Sequence, residues 1–143
     1  MTREERIRAA IAGRETDRVP VAAWMHLSEH DQDPISLAEA EVELTEKYDF
    51  DYIKMMPFGL YSTQDFGNQV KIYCDPYKEP IVQKFAIDSP AGYDSIRAIS
   101  ALQGTYGKQV EFARELAKRR MEGELPIEKV GAELRGMMSW LKK

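Results

Sequence analysis

The sequence predicts an α/β protein in which a strand, a helix and a second strand precede a β-hairpin. Residues 17–25 form an apolar run rich in Val and Ala, which is typical of a strand buried on both faces. Residues 37–48 keep the helical spacing of apolar side chains, and residues 50–56 form a second apolar run that Pro57 ends. The connection is long enough for a right-handed crossover between parallel strands.

Two helix starts carry local signals. Thr2 and Glu5 match the capping-box pattern, and Gly13 suits the position that follows a helix. Ser36 and Glu39 repeat the capping-box pattern at the start of the second predicted helix. The predicted apolar face of the first helix consists of Ile7, Ala10 and Ile11.

The pattern changes after Pro57. Residues 69–74 and 80–87 are β-rich runs separated by a turn, which predicts a hairpin. A short helix is expected within residues 89–99 and an amphipathic helix within residues 107–121. The apolar positions of these elements are Val70, Ile72, Cys74, Ile81, Phe85, Ile87, Val110, Ala113, Leu116 and Ala117.

Composition narrows the classes of function. The chain has 143 residues, a net charge of −4 and a single cysteine, Cys74. No basic stripe indicates a nucleic-acid partner, and the short run Lys118–Arg120 is expected to be a solvated helix face. No run is long enough for a membrane span, and the charged N-terminus is not a signal peptide. A cytoplasmic protein without a disulfide framework is therefore expected.

Three strings, in their order along the chain, resemble the N-terminal part of the uroporphyrinogen decarboxylase superfamily. They are residues 3–26, 37–67 and 80–96, which include "DRVPV" and "YDFD". The superfamily also contains corrinoid- and coenzyme-M-linked methyltransferases. The resemblance implies a (β/α)₈ TIM barrel with an inserted hairpin. Residues 1–126 would form its N-terminal portion, and residues 127–143 would be a divergent amphipathic helix.

The same resemblance implies that the barrel is not closed by this chain alone, because such barrels typically need about 250 residues. In the decarboxylase, two arginines after the first strand grip substrate carboxylates and an aspartate follows the second strand. These positions are occupied here by His26, His30 and Phe58. A neutral imidazole is a poor bidentate clamp, and a phenyl ring accepts no hydrogen bond from a substrate N–H. Corrinoid-linked methyl transfer is therefore favoured over porphyrinogen decarboxylation as the parent activity.

Barrel active sites lie at the carboxyl ends of the strands, so we expect ligand contacts there. The candidate substrate-binding residues are His26, His30, Lys54, Tyr61 and Asp65. Glu29 and Asp31 lie in the same loop as the two histidines. The alternatives are that His26 packs at a strand end, His30 is solvated and Lys54 extends from an outer position. Tyr61 and Asp65 would then stabilise their own loop.

The string His26–His30 also fits H-x-x-E-H, a zinc-peptidase pattern. Here it follows a predicted strand and precedes the loop sequence "DQDP", so the long helix that such a site needs is not expected. The methyltransferase resemblance implies zinc held by His and Cys in a C-terminal half, and a corrinoid partner. Cys74 is expected to be a small core residue. No cofactor or metal site is therefore expected in this chain itself.

A second function class remains open. An unclosed barrel exposes strand edges and apolar faces, which favours self-association. The chain would then be a non-catalytic remnant or an interaction module that forms a homo-oligomer. A small-molecule substrate is expected only for a full-length parent.

Overall fold

The computed structural model describes the backbone of residues 1–122 and the side chains of residues 1–119. It contains the helices α1 (Arg3–Ile11), α2 (Pro34–Lys47), α3 (Tyr61–Gln64) and α4 (Gly104–Glu122), the strands β1 (Gln69–Lys71) and β2 (Ile81–Lys84), and a 3₁₀ helix at Pro90–Ser95. The chain divides into two units. The first comprises Met1–Trp24, Glu39–Met55 and the chain from Ala113, and the second comprises Met25–Ala38 and Met56–Phe112.

Helix α1 has the predicted ends. The Thr2 hydroxyl accepts a hydrogen bond from the Glu5 amide while the Glu5 carboxylate accepts one from the Thr2 amide, which confirms the capping box. Gly13 follows the helix with a φ of +65°. The predicted apolar face is wrong in part, because Ala10 and Ile11 are exposed. The buried side instead carries Arg6, Ile7 and Ala9, since carboxylates hold the Arg6 guanidinium inward.

Helix α2 begins earlier than predicted. Its N-cap is Asp33, whose Oδ1 accepts hydrogen bonds from the Ile35 amide at 3.0 Å and the Ser36 amide at 2.7 Å. Pro34 occupies the first helical position, where its missing N–H costs nothing. The start predicted at Ser36 is therefore wrong, because an Asp-Pro pair three residues earlier makes a complete cap.

The two predicted barrel strands, residues 17–25 and 50–56, are not regular strands in the structure. The Asp51 amide donates to the Val21 carbonyl at 2.7 Å, but the Val21 amide donates to the Asp51 carboxylate rather than to a backbone carbonyl. A side chain thus takes the donor that a continuing ladder would use.

A second contact links the two segments further along the chain. Lys54 Nζ lies 5.1 Å from the ring centroid of Trp24. Trp24 and Lys54 each lie three residues beyond the pair formed by Val21 and Asp51, so the contacts advance together along both segments. Whether they belong to a partial barrel stays a prediction.

The hairpin is confirmed in residues 69–84. Strands β1 and β2 pair antiparallel, with an irregularity between Gln69 and Val70. The pairing is shorter than the predicted runs. Cys74 lies outside it and is exposed, so its expected core position is wrong.

The helices after the hairpin also follow the sequence pattern. The short helix within residues 89–99 is the 3₁₀ helix, and α4 begins three residues before the predicted start at residue 107. Ala113 and Leu116 are buried as predicted, whereas Ala117 is exposed. The predicted tail helix and the boundary after residue 126 lie outside the described residues.

Each unit has its own small core. In the first unit the buried apolar side chains include Ile7, Ile53 and Leu116. In the second they include Leu37, Met56, Phe58 and Phe112. No helix in residues 1–122 combines the length and the apolar character needed to cross a membrane.

Candidate functional site

His26 lies beside the loop that follows residues 50–56. If Gly59 carried a Cβ, that atom would lie 4.0 Å from both Cε1 and Nε2 of the His26 imidazole. His26 is half-buried, whereas Gly59 is exposed. The loops after the two predicted strands therefore meet at this point of the second unit.

Residues 27–31 form a single turn that carries His30 and Asp31. The amides of His30 and Asp31 both donate to the Leu27 carbonyl, at 2.8 and 3.0 Å. His30 is half-buried, and its Nδ1 lies 2.8 Å from Ser36 Oγ. His30 is thus held by the first turn of α2, and it is not the fully solvated residue of the alternative interpretation.

Asp31 is the buried carboxylate of this turn, with 6% of its surface exposed. Burial raises its pKa, although the hydrogen bond from Gln32 and the nearby His26 and Lys108 act in the opposite direction. A buried carboxyl group whose pKa is raised can exchange a proton or accept a hydrogen bond from a ligand.

Lys108 is a candidate site residue that the sequence pattern does not indicate. Its Nζ donates to the Gln32 carbonyl at 2.8 Å, and its charge acts on both Asp31 and Asp65. It lies on α4, 76 residues from Gln32, so no local sequence pattern could have paired it with the turn. His26, Asp31, Asp65 and Lys108 are called the polar cluster below.

Asp65 serves the start of α4. Its two carboxylate oxygens accept hydrogen bonds from the amides of Thr105 and Tyr106, both at 3.0 Å. Burial alone would raise the pKa of Asp65, but these amides, the Thr105 side chain and the charge of Lys108 together hold it below its usual range. These contacts support the structural alternative for Asp65 rather than a ligand contact.

Tyr61 has a similar structural setting. Its carbonyl accepts a hydrogen bond from the Thr105 hydroxyl at 2.8 Å, and its ring meets Tyr106 edge to face at 5.7 Å between centroids. Tyr61 and Asp65 together hold α3 against the first turn of α4.

Lys54 belongs to the first unit, where it is exposed beside Trp24. Phe58, which the resemblance matches to the decarboxylase aspartate, is only 1% exposed and forms part of the core of the second unit. Of the five predicted site residues, His26 and Asp65 belong to the polar cluster, whereas His30 and Tyr61 contact neighbouring helices.

The described residues do not form a zinc site. No group of three or more His, Cys, Asp or Glu residues in this part of the chain is arranged to hold a metal ion. Cys74, the single thiol of the sequence, lies exposed after β1. The methyltransferase resemblance assigns its zinc donors to a C-terminal half and not to these residues.

Comparison with known protein families found no family model that matches the chain, and comparison with solved structures found no match. The superfamily resemblance thus depends on the ordered sequence strings.

Proposed function

We propose that the chain is the N-terminal part of a barrel protein of the uroporphyrinogen decarboxylase and methyltransferase superfamily, with corrinoid-linked methyl transfer as the parent activity. Two contacts support this proposal: Val21 meets Asp51 and Trp24 meets Lys54, so the contacts advance together along the two segments that α2 connects. Successive barrel strands have that relation, because each crossover helix returns the chain to the same end of the sheet.

The side chains near the mouth support methyl transfer over decarboxylation. His26 and His30 offer imidazoles where a polycarboxylate substrate would need guanidinium forks. Phe58 is buried and has no acceptor for pyrrole N–H groups. A small substrate with few carboxylates suits this environment better than a porphyrinogen.

The chain's own contribution would be to bind and orient the substrate. The His26 imidazole borders the open position at Gly59, and Asp31 places a carboxyl group near it. Because the resemblance places the zinc donors in a C-terminal half, no step through zinc is assigned to the described residues. A corrinoid would come from a partner protein.

The assay should use the natural gene product, with any coding sequence that follows residue 143. We infer a cytoplasmic location from the lone exposed Cys74, so the buffer contains a reductant. We expect thiol-dependent loss of the methylcobalamin absorbance and no consumption of uroporphyrinogen. His26→Ala should slow the reaction, whereas Lys84→Ala, an exposed change on β2, should not. Decarboxylation without methyl transfer would contradict the proposed activity.

A self-associating module is the second candidate. Large apolar side chains are exposed in both units, with Val19 at 76% and Trp24 at 58% in the first, and Tyr77 at 94% and Phe85 at 65% in the second. Exposed apolar surface of this kind favours association. Size-exclusion chromatography with light scattering should then show a homo-oligomer, and a monomer at high concentration would count against this candidate.

A further inference from the structure

Asp51 is a fully buried carboxylate that joins three parts of the first unit. It is 0% exposed. It accepts hydrogen bonds from Arg6 Nη1 at 2.6 Å, Arg18 Nη1 at 2.5 Å and the Val21 amide at 2.7 Å. Burial alone would raise its pKa, but the Val21 amide and the two guanidinium groups hold it below its usual range. Asp51 is therefore charged at neutral pH, and its carboxylate accepts all three of these hydrogen bonds.

The guanidinium of Arg6 is itself held in place. Its Nε and Nη2 donate to the carboxylate of Asp17 at 2.7 and 2.8 Å, and Nη2 also donates to the Met1 carbonyl at 3.0 Å. A planar guanidinium bound on several sides has little freedom to move. Asp51 therefore meets a rigid partner on α1, and not only the backbone of residues 17–25.

These contacts align two segments that lack a β-ladder. In a sheet, repeated backbone hydrogen bonds set the register between neighbouring strands, and a slip of one residue turns every side chain to the other face. Here the carboxylate of Asp51 receives the Val21 amide in place of a backbone carbonyl. The alignment has few backbone bonds to maintain it.

We propose that Asp51 is a positioning residue that sets the alignment of residues 17–25 with residues 50–56 and thereby places Lys54 against Trp24. A role of Lys54 in contacting a ligand rests on the proposed function. The alignment of residues 17–25 with residues 50–56 does not rest on it. Asp49 also contacts Arg18, at 3.4 Å, but its side chain is 74% exposed. Asp49 therefore offers Arg18 a carboxylate of the same charge as Asp51, but an exposed one.

The test compares Asp51→Asn with the matched control Asp49→Asn. NMR measures the nuclear Overhauser effect between the Lys54 ε-protons and the Trp24 ring, and the upfield ring-current shift of those protons. We expect both signals to be lost in Asp51→Asn while the α1 and α2 backbone shifts stay helical. Both signals should persist in Asp49→Asn. Retention of both signals in Asp51→Asn would overturn the proposal.

A second variant covers the case in which Asp51→Asn does not fold. Arg18→Lys keeps the charge and leaves the contact between Arg6 and Asp51 in place, but it removes the guanidinium fork. The Overhauser effect between Lys54 and Trp24 should weaken in this variant, and an unchanged effect would also overturn the proposal. No methyl-transfer assay enters the comparison, so a failure of the proposed activity leaves this result unaffected.

Discussion

Gly104 is expected to be intolerant of a side chain for two separable reasons. Its φ is +60°, in the left-handed region that glycine adopts most readily. A Cβ at this position would also lie 2.6 Å from both carboxylate oxygens of Asp65. These oxygens accept the amides of Thr105 and Tyr106, so Gly104→Ala must displace the carboxylate that caps α4.

The two costs can be estimated separately. A left-handed conformation costs an alanine roughly 1–2 kcal/mol. Loss of a capping carboxylate costs about 1 kcal/mol, within a range of about 0.5–2 kcal/mol. Gly104→Ala should therefore lower the free energy of unfolding by about 1.5–4 kcal/mol. Gly13→Ala is the matched control, because Gly13 has a φ of +65° and no atom within 4 Å of a built Cβ. It should incur only the conformational cost.

Urea unfolding followed by far-UV circular dichroism would measure both variants, together with Asp65→Ala and the double variant Gly104→Ala/Asp65→Ala. Once Asp65 is removed, alanine at position 104 should cost no more than alanine at position 13. Equal losses for Gly104→Ala and Gly13→Ala would refute this reasoning. Strict additivity in the double variant would refute it as well, because residues in contact are expected to couple.

Three further predictions concern stability. Arg6→Ala should lower the urea midpoint much more than Arg8→Ala, because Arg6 pairs with the buried Asp51 whereas Arg8 forms an exposed i,i+4 pair; equal midpoints would contradict this. The folded-state pKa of Asp65 lies below its ordinary value, so its contribution to stability is present above about pH 4 and is lost as the pH falls further. The stability of Asp65→Asn should accordingly depend less on pH between about pH 5 and 2. Asp33→Ala should cost about 1 kcal/mol and speed hydrogen exchange at the first amides of α2, and unchanged exchange would show that Asp33 is not the cap.

The signals that predicted elements correctly act over short distances along the chain. The capping box of Thr2 and Glu5 spans three residues, and Gly13 ends α1 through its own backbone conformation. The start of α2 was misplaced because two polar residues, Asp33 and Ser36, both resemble N-caps. The local sequence pattern does not show which of the two residues caps α2. The hydrogen bonds from two backbone amides to Asp33 show that Asp33 is the cap.

The candidate site was predictable only in part. Position along the chain predicts His26 at the end of the first strand, and the structure brings its imidazole to the loop at Gly59. Lys108 could not be foreseen, because its partner Gln32 lies 76 residues away. Sequence pattern predicts a ligand-side loop for Asp65, and it does not reveal that both carboxylate oxygens accept hydrogen bonds from backbone amides of α4.

The amino-acid sequence by itself determined the presence of α1, α2, α4, the 3₁₀ helix and the hairpin, because capping groups, turn residues and apolar periodicity act between near neighbours. Tertiary structure alone decided that residues 17–25 and 50–56 meet through Asp51 rather than through a regular ladder. The partners of that carboxylate, Arg6 and Arg18, lie 45 and 33 residues away. Such contacts form only when packing brings distant charges together away from water, where an unpaired carboxylate would be costly.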